Sequence, residues 1–157
     1  MQDPKETLDE LSVILDELRD RPERQVILVE GQKDRAAMSV LGIGGEVWQV
    51  QGPNPIFSIA EKLALEGKEA IILTDWDRKG GQLARLLRSA LAANGVRYDD
   101  NYRMRIVTLV KKDIKDIESL PALFTRLVAL PPSIVAKKGP SERRGWREKG
   151  EGKSGKP

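Results

Sequence analysis

Hydrophobic positions recur along the chain in two rhythms. Leu8, Leu11, Leu15 and Leu18 follow i, i+3, i+7, i+10 with acids and arginines between them, which predicts a helix over the first twenty residues. Arg21-Pro22 stops it. Val26-Ile27-Leu28-Val29 is then an unbroken apolar run, the pattern of a strand covered on both faces, and it halts at Glu30-Gly31. A short helix is expected from Asp34 to Leu41, closed by Gly42. Glu46 to Val50 alternates like a strand, and Gly52-Pro53-Asn54-Pro55 reads as a loop. Ile56, Ile59, Ala60 and Leu63 mark a helix that Gly67 ends. Ala70-Ile71-Ile72-Leu73 is a second wholly apolar strand, broken by Thr74-Asp75-Trp76-Asp77. Leu83, Leu86, Leu87, Ala90 and Leu91 share one face of a strong helix, with Asn94-Gly95 as its stop. Ile106 to Val110 reads as a fourth strand, and a last helix is expected from about Pro121 to Ala129.

Strands alternating with helices predict a layered α/β, Rossmann-like fold with a four-stranded, mostly parallel sheet and an added N-terminal helix. The chain divides into that helix (residues 1–22), the α/β body (23–132) and a tail (133–157). From Lys138 onward the only large apolar residue is Trp146, so the tail is expected to be disordered. It is also where the charge lies. The formal net charge is +3, yet residues 137–157 carry eight Lys/Arg against three Glu, which leaves the body slightly acidic. Such an arm is expected to solubilise or to bind nucleic acid without specificity.

Aromatic residues make up only 4% of the chain, so the core must be aliphatic. Cysteine and histidine are both absent, which excludes disulfides, zinc fingers, thiol catalysis, imidazole bases and His-ligated metals. Any catalytic metal would have to be held by oxygen, which favours Mg²⁺ or Mn²⁺. No apolar run is long enough to span a membrane and the acidic N-terminus does not resemble a signal peptide, so a cytoplasmic protein is expected.

In open α/β sheets the site lies at the carboxyl ends of the strands, where strand order switches direction. Two apolar strands end in acids there: the first at Glu30, the third at Asp75-Trp76-Asp77, followed by Arg78-Lys79-Gly80-Gly81. If those strands are neighbours, three carboxylates converge with no His or Cys among them, and a hard cation would relieve their repulsion. Asp75 and Asp77 share one side of an extended segment. Lys33, Arg78 and Lys79, beside the acids, are placed to contact phosphate. Gly31 and Gly80 permit tight turns or a close backbone approach. Asp34 stands either as a helix cap or behind the metal ligands. Trp76 points away from the two aspartates, into the core or towards a stacked base. Asp113 and Asp116, in Lys111-Lys112-Asp113-Ile114-Lys115-Asp116, are further candidates for the acidic site.

Val29-Glu30-Gly31-Gln32-Lys33-Asp34 followed by Leu73-Thr74-Asp75-Trp76-Asp77-Arg78-Lys79-Gly80 resembles the Toprim domain, the family of topoisomerases, bacterial-type primases, overcoming-lysogenization-defect nucleases and the ribonuclease that matures five-S ribosomal RNA. The resemblance spans about residues 24–120, and the chain is most similar to the small stand-alone Toprim proteins of archaea. It implies that Glu30 acts as general acid or base, and that Asp75 and Asp77, with Glu30, bind Mg²⁺. The family's topoisomerases carry a nucleophilic tyrosine on a separate domain. Here the two tyrosines, Tyr98 and Tyr102, fall in a segment read as loop. The zinc module and extra subdomain of the primases are absent too.

The leading expectation is Mg²⁺-dependent phosphodiester chemistry on RNA or DNA, as a nuclease or in RNA processing. The alternative is a non-catalytic nucleic-acid-binding subunit of a larger complex, with a protein partner doing the chemistry. A signalling receiver domain, with Lys112 as its late lysine, fits less well, since it would want two acids after the first strand where only Glu30 stands.

Overall fold

A computed structural model describes residues 3–51 and 56–131. The loop expected at 52–55 and the tail from 133 lie outside the described residues. Residues 11–123 form one compact unit; a second comprises the two terminal portions, of which residues 3–10 and 124–131 are described.

Four parallel strands build the sheet: β1 (Gln25–Val29), β2 (Val47–Gln49), β3 (Glu69–Ile72) and β4 (Tyr98–Asp99), in the order β2-β1-β3-β4. The helices are α1 (Pro4–Arg19), α2 (Gln32–Val40), α3 (Ile56–Leu65), α4 (Arg78–Ala93), α5 (Asn101–Val110) and α6 (Leu120–Val128), with a 3₁₀ turn at Ile117–Ser119. Breakers act where the sequence puts them: Gly42, Gly67 and Gly95, just past α2, α3 and α4, all have φ between 66° and 77°.

β1 and β3 are buried on both faces, hence their unbroken apolar runs. Val26, Leu28, Ala70 and Ile72 share one cluster with Ile59, Ala60 and Leu63 of α3 and Ala84, Leu87 and Leu91 of α4. Ile27, Val29, Ile71 and Leu73 point the other way and are equally buried. From Leu11 on, α1 buries Leu11, Ile14, Leu15 and Leu18. It is tied down by Arg19, which donates to the Leu41 carbonyl (2.9 Å), and by Glu17, which accepts from both terminal nitrogens of Arg105 (2.8 and 3.2 Å).

One element differs from the sequence reading. Ile106–Val110 is not the fourth strand but the second half of α5, and the sheet takes its fourth strand from Tyr98–Asp99. The Asp99 carboxylate accepts from the backbone N–H groups of Asn101 (2.7 Å) and Tyr102 (3.3 Å), satisfying donors that open the helix. Only Ile106 and Val110 of the β-branched run are fully buried, four residues apart, so burial follows the helical period. The two tyrosines accordingly lie in β4 and α5 rather than in a loop.

Candidate metal centre at the strand switch point

From β1 the chain steps outward to β2, then crosses back to β3 on the other side of β1. β1 and β3 are therefore neighbours whose exits diverge, and the crevice between their carboxyl ends is the switch point of the sheet. Ile27 pairs with Ile71 and Leu28 with Ile72, which carries Glu30 and Asp75 to the same end.

Glu30 is 6% exposed, and its Oε2 accepts a hydrogen bond from the backbone N–H of Asp75 at 2.9 Å. Asp75 is half-buried, and its own Oδ1 accepts from the backbone N–H of Ile117 at 2.9 Å. Burial, followed by the negative charges of Asp34, Glu30 and Asp116, pushes the Asp75 carboxyl up to about 7, against the pull of the Ile117 N–H. Asp34 is raised as well, first by burial and then by Glu30, Glu118 and Asp116, with the Gly31 N–H opposing.

Asp34 is the third residue of α2, not its cap. From there its Oδ2 reaches back to the backbone N–H of Gly31 at 3.1 Å, bracing the turn after β1. Asp116 caps the 3₁₀ turn, accepting from the Ser119 N–H at 3.0 Å. That turn packs against α2 and so brings Asp116 to the acidic end, whereas Asp113 is exposed.

Asp77 turns to α4 instead. It is exposed and caps the helix, its Oδ1 accepting from the backbone N–H of Gly80 at 2.7 Å. Gly80 is required sterically, since a Cβ there would lie 2.0 Å from the carbonyl oxygen of Asp75. The buried Thr74 hydroxyl donates to the Gly80 carbonyl at 2.8 Å and fastens the strand end to the same turn. Trp76 is half-buried, and its indole N–H donates to the Ile114 carbonyl at 3.0 Å. Lys33, Arg78 and Lys79 are exposed on the first turns of α2 and α4.

Sequence reasoning missed Arg103. From α5 its Nε donates to the Thr74 carbonyl (2.9 Å) and its Nη2 to the Asp75 carbonyl (2.8 Å), so one guanidinium holds the end of β3. Once α5 is seen as a helix, Arg103, Ile106 and Val110 fall on one face at i, i+3, i+7, and that was the available signal.

Among the described residues no group of three or more acids is gathered at ligand geometry. The donor chemistry nevertheless suits a hard dication: Glu30, Asp34, Asp75 and Asp116 are all-oxygen donors of one sign at one end of the sheet. Each holds a backbone N–H with one carboxylate oxygen. No helix among the described residues is long and apolar enough to cross a membrane.

Comparison with known proteins agrees with this layout. The chain is 34% identical over 124 residues to a UPF0292 protein of Methanosarcina acetivorans, covering 78% of this chain and 85% of that one. It is 37% identical over 123 residues to a UPF0292 protein of Pyrococcus horikoshii, covering 78% and 89%. A solved structure described as a putative protein from Aquifex aeolicus superposes with a TM-score of 0.58 at 32% identity, covering 69% of this chain and 96% of that one. Residues 25–109, from the start of β1 to α5, match the Toprim domain, and with its acids at the β1–β3 switch point the chain belongs to the Toprim family.

Proposed function

We propose that the protein carries out Mg²⁺-dependent phosphodiester chemistry on nucleic acid, as a nuclease or in RNA processing. The observation that carries this reading is the half-buried Asp75 at the switch point, its backbone N–H on Glu30 Oε2 at 2.9 Å with Asp34 and Asp116 at the same end. Partly buried acids of one sign gathered at one strand end favour a cation. Asp75 would hold Mg²⁺ or Mn²⁺, with Asp77 as a further ligand through the carboxylate oxygen that does not accept from Gly80, and Asp34 behind them. Bound there, the ion supplies positive charge against the charge developing on a phosphate.

The remaining work falls to the chain. Glu30, fixed by the Asp75 N–H, moves the proton of the attacking or leaving oxygen. Lys33, Arg78 and Lys79 hold flanking phosphates, and the N-terminal turns of α2 and α4 on which they stand favour anions as well. Gly31 and Gly80 keep the two turns tight. The basic tail adds affinity without sequence preference.

The test is calorimetric titration with Mn²⁺ beside hydrolysis of RNA and DNA substrates. Wild type should bind Mn²⁺ and cleave, and Asp75→Asn and Asp77→Asn should each lose at least tenfold in Mn²⁺ affinity. Unchanged affinity in both variants overturns the metal site. Mn²⁺ binding without turnover on any nucleic acid replaces this reading with that of a non-catalytic binding subunit.

A further inference from the structure

Beside the acidic end, on the outer edge of the sheet, lies a groove that the chemistry above does not use. Its volume is about 440 Å³, and Arg35 of α2, Trp48 and Gln49 of β2, Gln51 just past it, and Ser58 and Lys62 of α3 line it. That volume suits one small ligand of nucleotide size. The walls differ in character. Trp48 is held in place, its indole N–H donating to Glu46 Oε1 at 2.9 Å while the Lys62 ammonium stands 4.7 Å from its ring centroid. Glu46 is bonded to Lys68, which takes up most of its charge, and Lys62 feels what remains. Arg35 and Lys62 are exposed and engage no carboxylate among the ion pairs of the described residues. Gln49 and Gln51 each offer a donor and an acceptor.

Gln51 joins this groove to the acids. Its backbone N–H donates to the Glu30 carbonyl at 2.9 Å. Its side-chain oxygen lies 3.0 Å from where a Cβ on Gly31 would stand. One residue therefore separates the groove from the end of β1.

We propose that this groove is a nucleotide subsite: it receives one nucleotide of a single-stranded nucleic acid flanking the position acted on at Glu30 and Asp75, with its phosphate on Arg35 and Lys62 and its base against Trp48, Gln49 and Gln51. The proposal rests on the nucleic-acid reading of the acidic end. Exposed cations meet a phosphate, amides meet the edge of a base, and an immobilised indole meets its apolar body. A concave pocket of this size takes a base turned out of a strand and excludes one still paired in a duplex.

The experiment measures binding of a fluorescein-labelled oligo-dT and oligo-rU, each about twelve nucleotides long, by anisotropy in EDTA across a salt series. Arg35→Ala/Lys62→Ala in the full chain should weaken binding about tenfold and lower the salt slope by roughly 0.7–1.4, as expected for one or two lost phosphate contacts. Arg24→Ala, at the opposite end of β1, removes a cation without touching the groove and should change little. Trp48→Phe should weaken single-strand binding and leave that of a duplex of equal length unaltered. A double variant that binds like Arg24→Ala overturns the subsite; if wild type still binds Mn²⁺ and cleaves, the proposed function survives it. Failure of wild type to bind either oligonucleotide overturns the subsite as well, and overturns the proposed function only if Mn²⁺-dependent cleavage is also absent.

Discussion

The backbone of Gly80 rests so close to Asp75 that a Cβ at residue 80 would stand 2.0 Å from the Asp75 carbonyl oxygen. The obstacle is backbone, held by Arg103 from one side and followed by a capped helix on the other, so it cannot swing aside as a flexible side chain would. Gly80→Ala should therefore cost about 3 kcal/mol or more, or prevent folding. Gly81→Ala, one residue on, meets nothing within 4 Å and should be neutral or raise stability by about 0.5–1 kcal/mol. Urea unfolding of the two variants checks the contrast, and a mild Gly80→Ala would mean that β3 and α4 separate readily.

Asp75 makes the metal-free protein sensitive to pH. Its carboxyl is raised from 3.8 to about 7 in the folded state, burial being the main cause. Between roughly pH 4 and 7 the folded protein keeps a proton that the unfolded chain has released, so this group's stabilising contribution is complete below about pH 4 and is lost as pH rises through 7. Asp34 is raised too and works in the same direction. Asp75→Asn keeps an acceptor for the Ile117 N–H and removes the charge. In EDTA it should match wild type near pH 4 and exceed it at pH 8 by on the order of 1–2 kcal/mol, allowing for solvent screening. Mg²⁺ should restore wild type at pH 8 and leave the variant unmoved. Denaturant unfolding at the two pH values, with and without Mg²⁺, measures all four quantities.

Much of this end of the molecule was legible in the sequence because the signals there are local. An apolar run with an acid behind it is a buried parallel strand reaching the edge of its sheet, and Glu30 and Asp75 lie where that reasoning put them. The fourth strand was not legible. β4 is two residues long, too short to show a period, and the β-branched Ile106-Val107 imitates a strand inside a helix whose start is set by Asp99. That error also hid Arg103, whose role depends on the face it occupies in α5. The groove was invisible for another reason: Arg35, Trp48 and Lys62 belong to three elements, and only the packing of α2 and α3 beside β2 unites them.

Glu30→Gln separates proton carrier from ligand. Glutamine retains an oxygen to accept the Asp75 N–H, so the turn should keep its shape. Without a titratable proton, turnover should fall by roughly 10²–10⁴-fold, while Mn²⁺ affinity changes much less than in Asp75→Asn. Single-turnover cleavage and Mn²⁺ calorimetry on the same samples give the two numbers. Equal loss of affinity in both variants would make Glu30 a ligand and leave the proton to another group.

Arg103 should matter more for the end of β3 than its place on a surface helix suggests. Its guanidinium satisfies the carbonyls of Thr74 and Asp75 together, where the strand gives way to the Asp75–Asp77 turn. Arg103→Ala leaves both without that donor and should cost about 1–3 kcal/mol. Arg103→Lys keeps the charge but not the fork, so it should recover only part of the loss. If charge alone mattered, lysine would restore wild-type stability in full, and raising the salt concentration would shrink the difference between wild type and Arg103→Ala. If the two directed hydrogen bonds matter, the difference should persist at high salt, because these bonds are short and part-buried. Urea unfolding of the three proteins at low and high salt decides between them, and a cost below about 0.5 kcal/mol for Arg103→Ala would mean that water replaces the guanidinium at both carbonyls.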